Sequence, residues 1–191
     1  AGATRELRIG DPGLPETDVG PAIDEATQTM LAAHCQRMDK EAVRVCRAAM
    51  PDGLSNGSFF SPTAYEIKDL RVLTVHVFGP VLHIIRYKSG DLDRVLAGVQ
   101  DTGYGLTLRI HSRIEATHRY IQDHTGVGNT YINRNMIGAV VGVQPFGGEG
   151  LSGTGPKAGG PRYLNRFDVE RTLSVNTTAA GGNAALMTLC D

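Results

Sequence analysis

No stretch of this sequence approaches the roughly 18 consecutive apolar residues needed to span a bilayer, and the opening residues, AGATRELRIGDP, hold no signal-peptide core. An excess of one charge is missing too: 19 Lys and Arg against 20 Asp and Glu give a formal net charge of −1. With no basic run and no lysine-rich face, there is no electrostatic reason to expect nucleic acid or an anionic membrane as a partner. Cysteine is scarce, at three widely spaced residues. That odd, dispersed set fits reduced thiols in a cytosolic protein better than a disulfide framework. What is present is a chain of 191 residues, 41% apolar, long enough for an ordinary domain with its own core. Glycine is the outlier, with 24 residues, many of them between Gly126 and Gly160. Such a stretch lets the backbone turn tightly or approach a ligand.

Residues 8 to 22, with three prolines and three glycines, read as a loop. Asp24 is a candidate N-cap for a helix in which Thr27, Leu31, Cys35 and Met38 recur at helical spacing, with Met30 and His34 beside them. Two β-rich runs follow, Val43 to Arg47 and Phe59 to Ile67, separated by the turn-like PDGLSNGS. Val81 to Tyr87 is a further strand. Leu92, Val95, Leu96 and Val99 then predict an amphipathic helix ended by Gly103 or Gly105. Leu106 to His111 reads as a strand, Ser112 and Glu115 as a capping box, Ile114, His118 and Ile121 as one helix face, and Val127 to Asn133 as a strand. Strand, helix, strand, helix, strand with short connections predicts an α/β fold with a parallel-stranded βαβαβ core. From Asn133 to Leu164 periodicity disappears, the mark of a functional loop. Arg166 to Thr178 returns to β-like content and must find a partner strand or remain an exposed edge.

Several motifs tempt. Gly148, Gly150 and Gly153 satisfy G-x-G-x-x-G with Asp168 beyond, yet no buried strand leads in and Pro156 stands where a helix should run. No Gly-Lys-Ser/Thr ending marks a phosphate loop. Cys35 lies on the apolar helix face, Cys46 in a strand and Cys190 at the chain end, none in a setting that stabilises a thiolate. The six histidines, at 34, 76, 83, 111, 118 and 124, form no i, i+4 pair beside an acid, so no metal site is expected. No G-x-S-x-G elbow announces a serine nucleophile.

Two segments go beyond pattern. His76-Val77-Phe78-Gly79-Pro80-Val81 resembles the E-[IV]-F-G-P-[VIL] motif of aldehyde dehydrogenases, and Gln144-Pro145-Phe146-Gly147-Gly148 resembles their P-F-G-G motif at the right spacing. The run from Gly128 to Pro161 and the ending VERTLSVNTTAAGGNAALMTL resemble, more narrowly, the L-glutamate γ-semialdehyde (pyrroline-5-carboxylate) dehydrogenase domain of bacterial proline utilization A. The resemblance covers essentially the whole chain.

It implies a part of an NAD-dependent enzyme of the bacterial cytoplasm that oxidises the semialdehyde to L-glutamate in proline catabolism. Residues 1–164 would be the C-terminal part of the catalytic domain and 165–191 an oligomerisation flap and tail through which the chain forms a homo-oligomer. Phe78 would pack near the nicotinamide ribose of NAD. Gly138 and Ala139 would hold the substrate carboxylate with backbone N–H groups, as consecutive unhindered amides can. Phe146 would form an apolar wall against the aliphatic part of the substrate. His76 departs from the family, whose Glu accepts hydrogen bonds from a cofactor ribose; a neutral imidazole offers no bidentate anionic acceptor. The nucleophilic Cys of the family, in a G-Q-R-C-type segment, is expected upstream of Ala1, together with the NAD-binding domain and the oxyanion-hole Asn. The alternative is a non-catalytic assembly module of the same ancestry, a reading that His76 favours.

Overall fold

Asp24 sets the first long helix. Its backbone is extended and its carboxylate accepts a hydrogen bond from the Thr27 N–H at 2.7 Å, supplying one of the partners a helix start lacks. That hydrogen bonding to Thr27 also holds the Asp24 carboxyl below its usual pKa. The structure, a computed structural model, describes residues 1–54, 56–137 and 139–176. It divides into two compact units, Ala1–Gly103 and Tyr104–Asp191, the boundary lying within the 1–164 segment expected as one part.

In unit 1 a short helix, α1 (Gly2–Arg5), precedes α2 (Glu25–Glu41), which buries Leu31, His34, Cys35 and Met38 on one face. Leu31 and Met38 have no exposed surface, which stabilises by about 1.5–3 kcal/mol each relative to exposure. They pack with Cys35, Phe60, Tyr65 and Ile67 against a three-stranded sheet. In it β1 (Val43–Arg47) runs antiparallel to β2 (Thr63–Glu66), and β2 runs parallel to β3 (Val81–Ile84). The strand predicted over Phe59–Ile67 is shorter than its apolar run because Pro62 has no N–H to give a ladder. Its carbonyl instead accepts from Ala48 N–H at 2.9 Å. Tyr65, fully buried, donates its hydroxyl to Asp39 Oδ1 at 2.7 Å, tying β2 to α2. Arg44 of β1 grips the same carboxylate and, with Tyr65, holds the Asp39 carboxyl below its usual pKa. A further helix, α3 (Leu92–Gln100), buries Leu96 and ends before Gly103.

In unit 2, β4 (Tyr104–Gly105) is followed by β5 (Thr107–Ile110), α4 (Glu115–Asp123) and β6 (Asn129–Ile132). β5 and β6 are parallel, Thr107 opposite Asn129 and Ile110 opposite Ile132, as the strand–helix–strand pattern predicts. β3 pairs with β2 and β5 with β6, so each unit holds one parallel pair. The expected capping box is not formed. Ile114 is the N-cap residue, Ser112 Oγ accepts from Ile114 N–H at 3.1 Å, and Glu115 pairs with Arg119. Ser112 sits two residues too early to cap, so its hydroxyl closes a local turn instead. At the end of β6, Asn133 adopts a left-handed conformation with φ of 55°, which asparagine tolerates better than most residues. Its amide accepts from Ser112 N–H at 3.0 Å and donates to Ser112 O at 2.8 Å, joining the exits of both strands. The last strand, β7 (Glu149–Gly150), pairs antiparallel with β4.

The glycines at 148, 150 and 153 lie around β7 and a turn in which Ser152 N–H bonds Glu149 O. No α-helix follows them among the described residues, so the dinucleotide reading fails on structure as it does on context. The β-like run predicted from Arg166 to Thr178 forms no strand within its described part. Leu164–Arg166 is a 3-10 turn, and residues 167–176 have no ladder partner among the described residues. A strand exists only where another offers backbone groups to it, and the local composition cannot supply one. Phe167, Val169, Leu173 and Val175 are all exposed; 177–191, the rest of the expected flap, lie outside the described residues.

Candidate functional site

The glycine-rich segment of unit 2 is shaped from its flanks. Asn129 of β6 brackets Phe146: its Nδ2 donates to Pro145 O at 3.0 Å and its Oδ1 accepts from Gly147 N–H at 3.1 Å. Phe146 also exchanges both backbone hydrogen bonds with Ala158, at 3.0 and 2.8 Å. Lys157 completes the clamp by donating from Nζ to Gly128 O. Gly128 admits no side chain, since a Cβ there would lie 1.9 Å from Gly147 O. The half-buried Phe146 ring is therefore carried on a backbone held at three consecutive positions, 145 to 147, by groups outside its own turn.

Ahead of it, Val140 O accepts from both Val143 N–H and Gln144 N–H, at 3.1 and 2.7 Å, making a turn that carries Ile137, Val141 and Val143 outward. Ala139 is half-buried at the start of this turn, and Gly138, its predicted partner in carboxylate binding, lies outside the described residues. The segment can offer an aromatic wall and a run of unhindered backbone beside it. A cleft of about 620 Å³ opens nearby, lined by Gly148, Thr154, Lys157, Gly160 and Arg162 among others. It takes in neither Phe146 nor Ala139, so its volume says nothing about that wall.

The second predicted segment belongs to unit 1. Val77 packs against the core cluster while its neighbours point outward, the alternation of an extended chain. Phe78 is 79% exposed and meets His76 edge-on, ring centroids 6.1 Å apart. Gly79 lies directly over α2: a Cβ there would come within 2.4 Å of Leu31 Cδ2. Pro80 O accepts from Thr63 N–H at 3.0 Å, so β3 starts in register immediately beyond. The sequence brings His76 and Phe78 together on one exposed edge. Phe146 and Ala139 sit in the other unit.

Cys35 is buried beneath Tyr65, whose hydroxyl lies 3.3 Å from its carbonyl. Cys46 is half-buried with Sγ 3.4 Å from Thr4 Oγ1. Both occupy structural positions, as their sequence settings indicate; Cys190 lies outside the described residues. No group of three or more His, Cys, Asp or Glu able to hold a metal ion occurs among the described residues. None of the helices among them is long and apolar enough to cross a membrane. Sequence reasoning missed Asn129, Asn133 and Lys157, whose partners are distant in the chain, and the contact between His34 and His83. Only the place of His34 three residues after Leu31 on the apolar face of α2 hinted at the last.

A family model described as "Aldehyde dehydrogenase family" matches residues 1–172. The "Bifunctional protein PutA" of Escherichia coli (strain K12) is 46% identical over 178 residues, 91% of this chain and 14% of that protein. A "1-pyrroline-5-carboxylate dehydrogenase" of Geobacillus sp. (strain WCH70) is 38% identical over 173 residues, 90% of this chain and 33% of that protein. Among solved structures, proline utilization A of Bradyrhizobium japonicum superposes with a TM-score of 0.87 at 54% identity, over 94% of this chain and 18% of that one. A 1-pyrroline-5-carboxylate dehydrogenase from Thermus with bound NAD gives 0.77 at 34% identity, over 87% and 32%. The chain thus spans a third or less of the length of these relatives.

Proposed function

This chain belongs to the aldehyde dehydrogenase family, and we propose that it is part of an NAD-dependent enzyme oxidising L-glutamate γ-semialdehyde, the open form of pyrroline-5-carboxylate, to L-glutamate. The observation that carries the reading is the Asn129 bracket around Phe146, within a chain whose relatives bear that substrate in their names. A substrate with an aliphatic middle and a carboxylate end needs an apolar wall beside anion-binding amides. Phe146 is the wall, and Gly138 and Ala139 carry the amides. Rigid support matters, because a loosely held site loses orientation and with it rate.

NAD would supply the hydride acceptor for the oxidation of the aldehyde carbon. This chain would offer it one edge only, the exposed Phe78 ring. His76 fits less well than the family's Glu, having a single acceptor nitrogen when neutral. The nucleophilic cysteine is assigned to the part of the enzyme this chain does not span, since both described cysteines hold structural places, Cys35 buried in the core of unit 1 and Cys46 half-buried in β1. The run from Phe167 to Val175, with apolar residues at alternate positions 167, 169, 173 and 175, supports a flap that adds to a neighbouring sheet in a homo-oligomer. That run and His76 are also what a non-catalytic assembly module would show.

The test joins this chain to the remaining segment of a 1-pyrroline-5-carboxylate dehydrogenase relative and follows NAD reduction with pyrroline-5-carboxylate. Turnover is expected from the chimera and none from the chain alone, with Phe146→Ala raising KM. Equal turnover of a simple aldehyde without a carboxylate would defeat the substrate assignment. An inactive but self-associating chimera would favour the assembly module.

A further inference from the structure

His34 on α2 and His83 on β3, forty-nine residues apart, meet inside unit 1 with Nε2 atoms 2.9 Å apart. Their rings are edge-on, 5.1 Å between centroids and 81° between planes. His34 is 6% exposed and His83 half-buried. A contact between two such nitrogens requires a hydrogen on one and a lone pair on the other. Two neutral rings satisfy this, and so does an imidazolium donating to a neutral ring. Two imidazoliums do not: N–H meets N–H, and like charges face each other out of water.

The surroundings offer little to stabilise the second proton: the Glu41 charge favours protonated His34, but burial and Arg37 outweigh it. From α2, Arg37 and Glu41 face the pair, but they are joined to each other at 2.7 Å, and Arg37 also donates to Val72 O at 3.0 Å. From β2, the register partner of His83 is Tyr65, whose hydroxyl is committed to Asp39. The adjacent Glu66 is held by Arg86 at 2.9 Å. Among the described residues neither imidazole has a carboxylate partner.

We propose that His34 and His83 form a proton-operated latch between α2 and β3, closed while at least one ring is neutral and opened when both are protonated. The latch lies under the segment that carries His76 and Phe78. α2 supports Gly79 through Leu31, one helical turn before His34, and β3 begins at Val81, directly after that segment. Opening it loosens the floor of that segment, and the effect on the cofactor edge rests on the function proposed above.

The direction of the pH effect follows from burial. Desolvation first, then Arg37, lower the pKa of His34; desolvation, His34 and Arg37 lower that of His83. The unfolded chain therefore binds more protons as pH falls below the ordinary value of 6.5, and stability is lost through that window. This consequence is independent of catalysis, so it can fail or stand whatever the substrate.

The experiment compares this chain with its His34→Phe/His83→Phe variant in urea at about pH 8 and about pH 5. The parent is expected to lose urea midpoint in acid, and the variant to keep most of it. In the unmodified chain, the Thr63 and Ile67 amides, which donate to Pro80 O and Ile84 O across β2 and β3, are expected to gain less protection from exchange in acid than at neutral pH. Should the variant not fold, nitrogen NMR of the two rings in the parent decides. Two separate protonation steps below the ordinary histidine range support the latch. An equal fall in midpoint for parent and variant, or two rings titrating independently at the ordinary value, overturns it.

Discussion

Replacing Asn129 by alanine removes both bonds that bracket Phe146, at 3.0 and 3.1 Å. Each is an ordinary amide hydrogen bond worth about 1 kcal/mol net, so the pair contributes about 2 kcal/mol to holding residues 145–147 in place. Water can reach these half-buried groups, so the loss should not reach the full penalty of two orphaned polar groups. A local opening made easier by about 2 kcal/mol raises exchange of the Gly147 amide roughly 30-fold, at about 1.4 kcal/mol per factor of ten. Amide exchange read by NMR measures this at Gly147, with the Ile132 amide of β6 as an internal reference. Asn129→Asp makes the test sharper. One carboxylate oxygen still accepts from Gly147 N–H, while the other faces Pro145 O with no hydrogen between them. Protection at Gly147 should then survive better than in the alanine variant, while the Pro145 side of the bracket is lost. Exchange at Gly147 that stays within about threefold of the parent in Asn129→Ala would refute the bracket as the source of the loop's order.

Three further outcomes are expected. In the complete chimeric enzyme, His76→Glu restores a bidentate anionic acceptor, and NAD should bind about tenfold more tightly; unchanged affinity by titration would show that His76 does not meet the ribose. Gly79→Ala forces a methyl onto Leu31, a close-packed side chain with no exposed surface. Overpacking of that kind costs about 1–3 kcal/mol, readable as a lower urea midpoint. Arg71→Ala removes the guanidinium that, ahead of the Arg71 backbone N–H, holds Asp69 down at about 2. Carbon NMR of Asp69 should then titrate at higher pH. In the parent, whatever Asp69 adds is present above 3.8 and lost as pH falls through about 2; in the variant that loss begins at higher pH.

Elements whose determinants are local were legible in the sequence. α2 was announced by its Asp24 cap and by Leu31, Cys35 and Met38, and the structure buries those three. β5, α4 and β6 followed from short connections between periodic runs. Boundaries were less legible because single residues moved them: Pro62 cut the second strand short, and Ser112 stood two places too early to cap α4. The form of 139–161 could not be read locally at all. Its turns are fixed by Asn129 and Lys157 acting across 16 to 29 residues, and nothing in a window of composition reports such a partner. The family motifs placed Phe78 and Phe146, but not the side chains that hold them. The tail reads as a strand from its β-like content, which gives a propensity without naming a partner strand.

The Asn129 bracket also implies an order of events. Closing the intervening loop carries an entropic cost that rises with its length, and no local contact repays it early. The bonds to Pro145 and Gly147 are useful only once Asn129 is fixed in β6, and β6 takes its place by pairing with β5. The wall formed by Phe146 is therefore expected to be among the last parts of unit 2 to take shape and the first to come undone. A protease or a chaperone would meet that segment open while the strands beneath it are already closed.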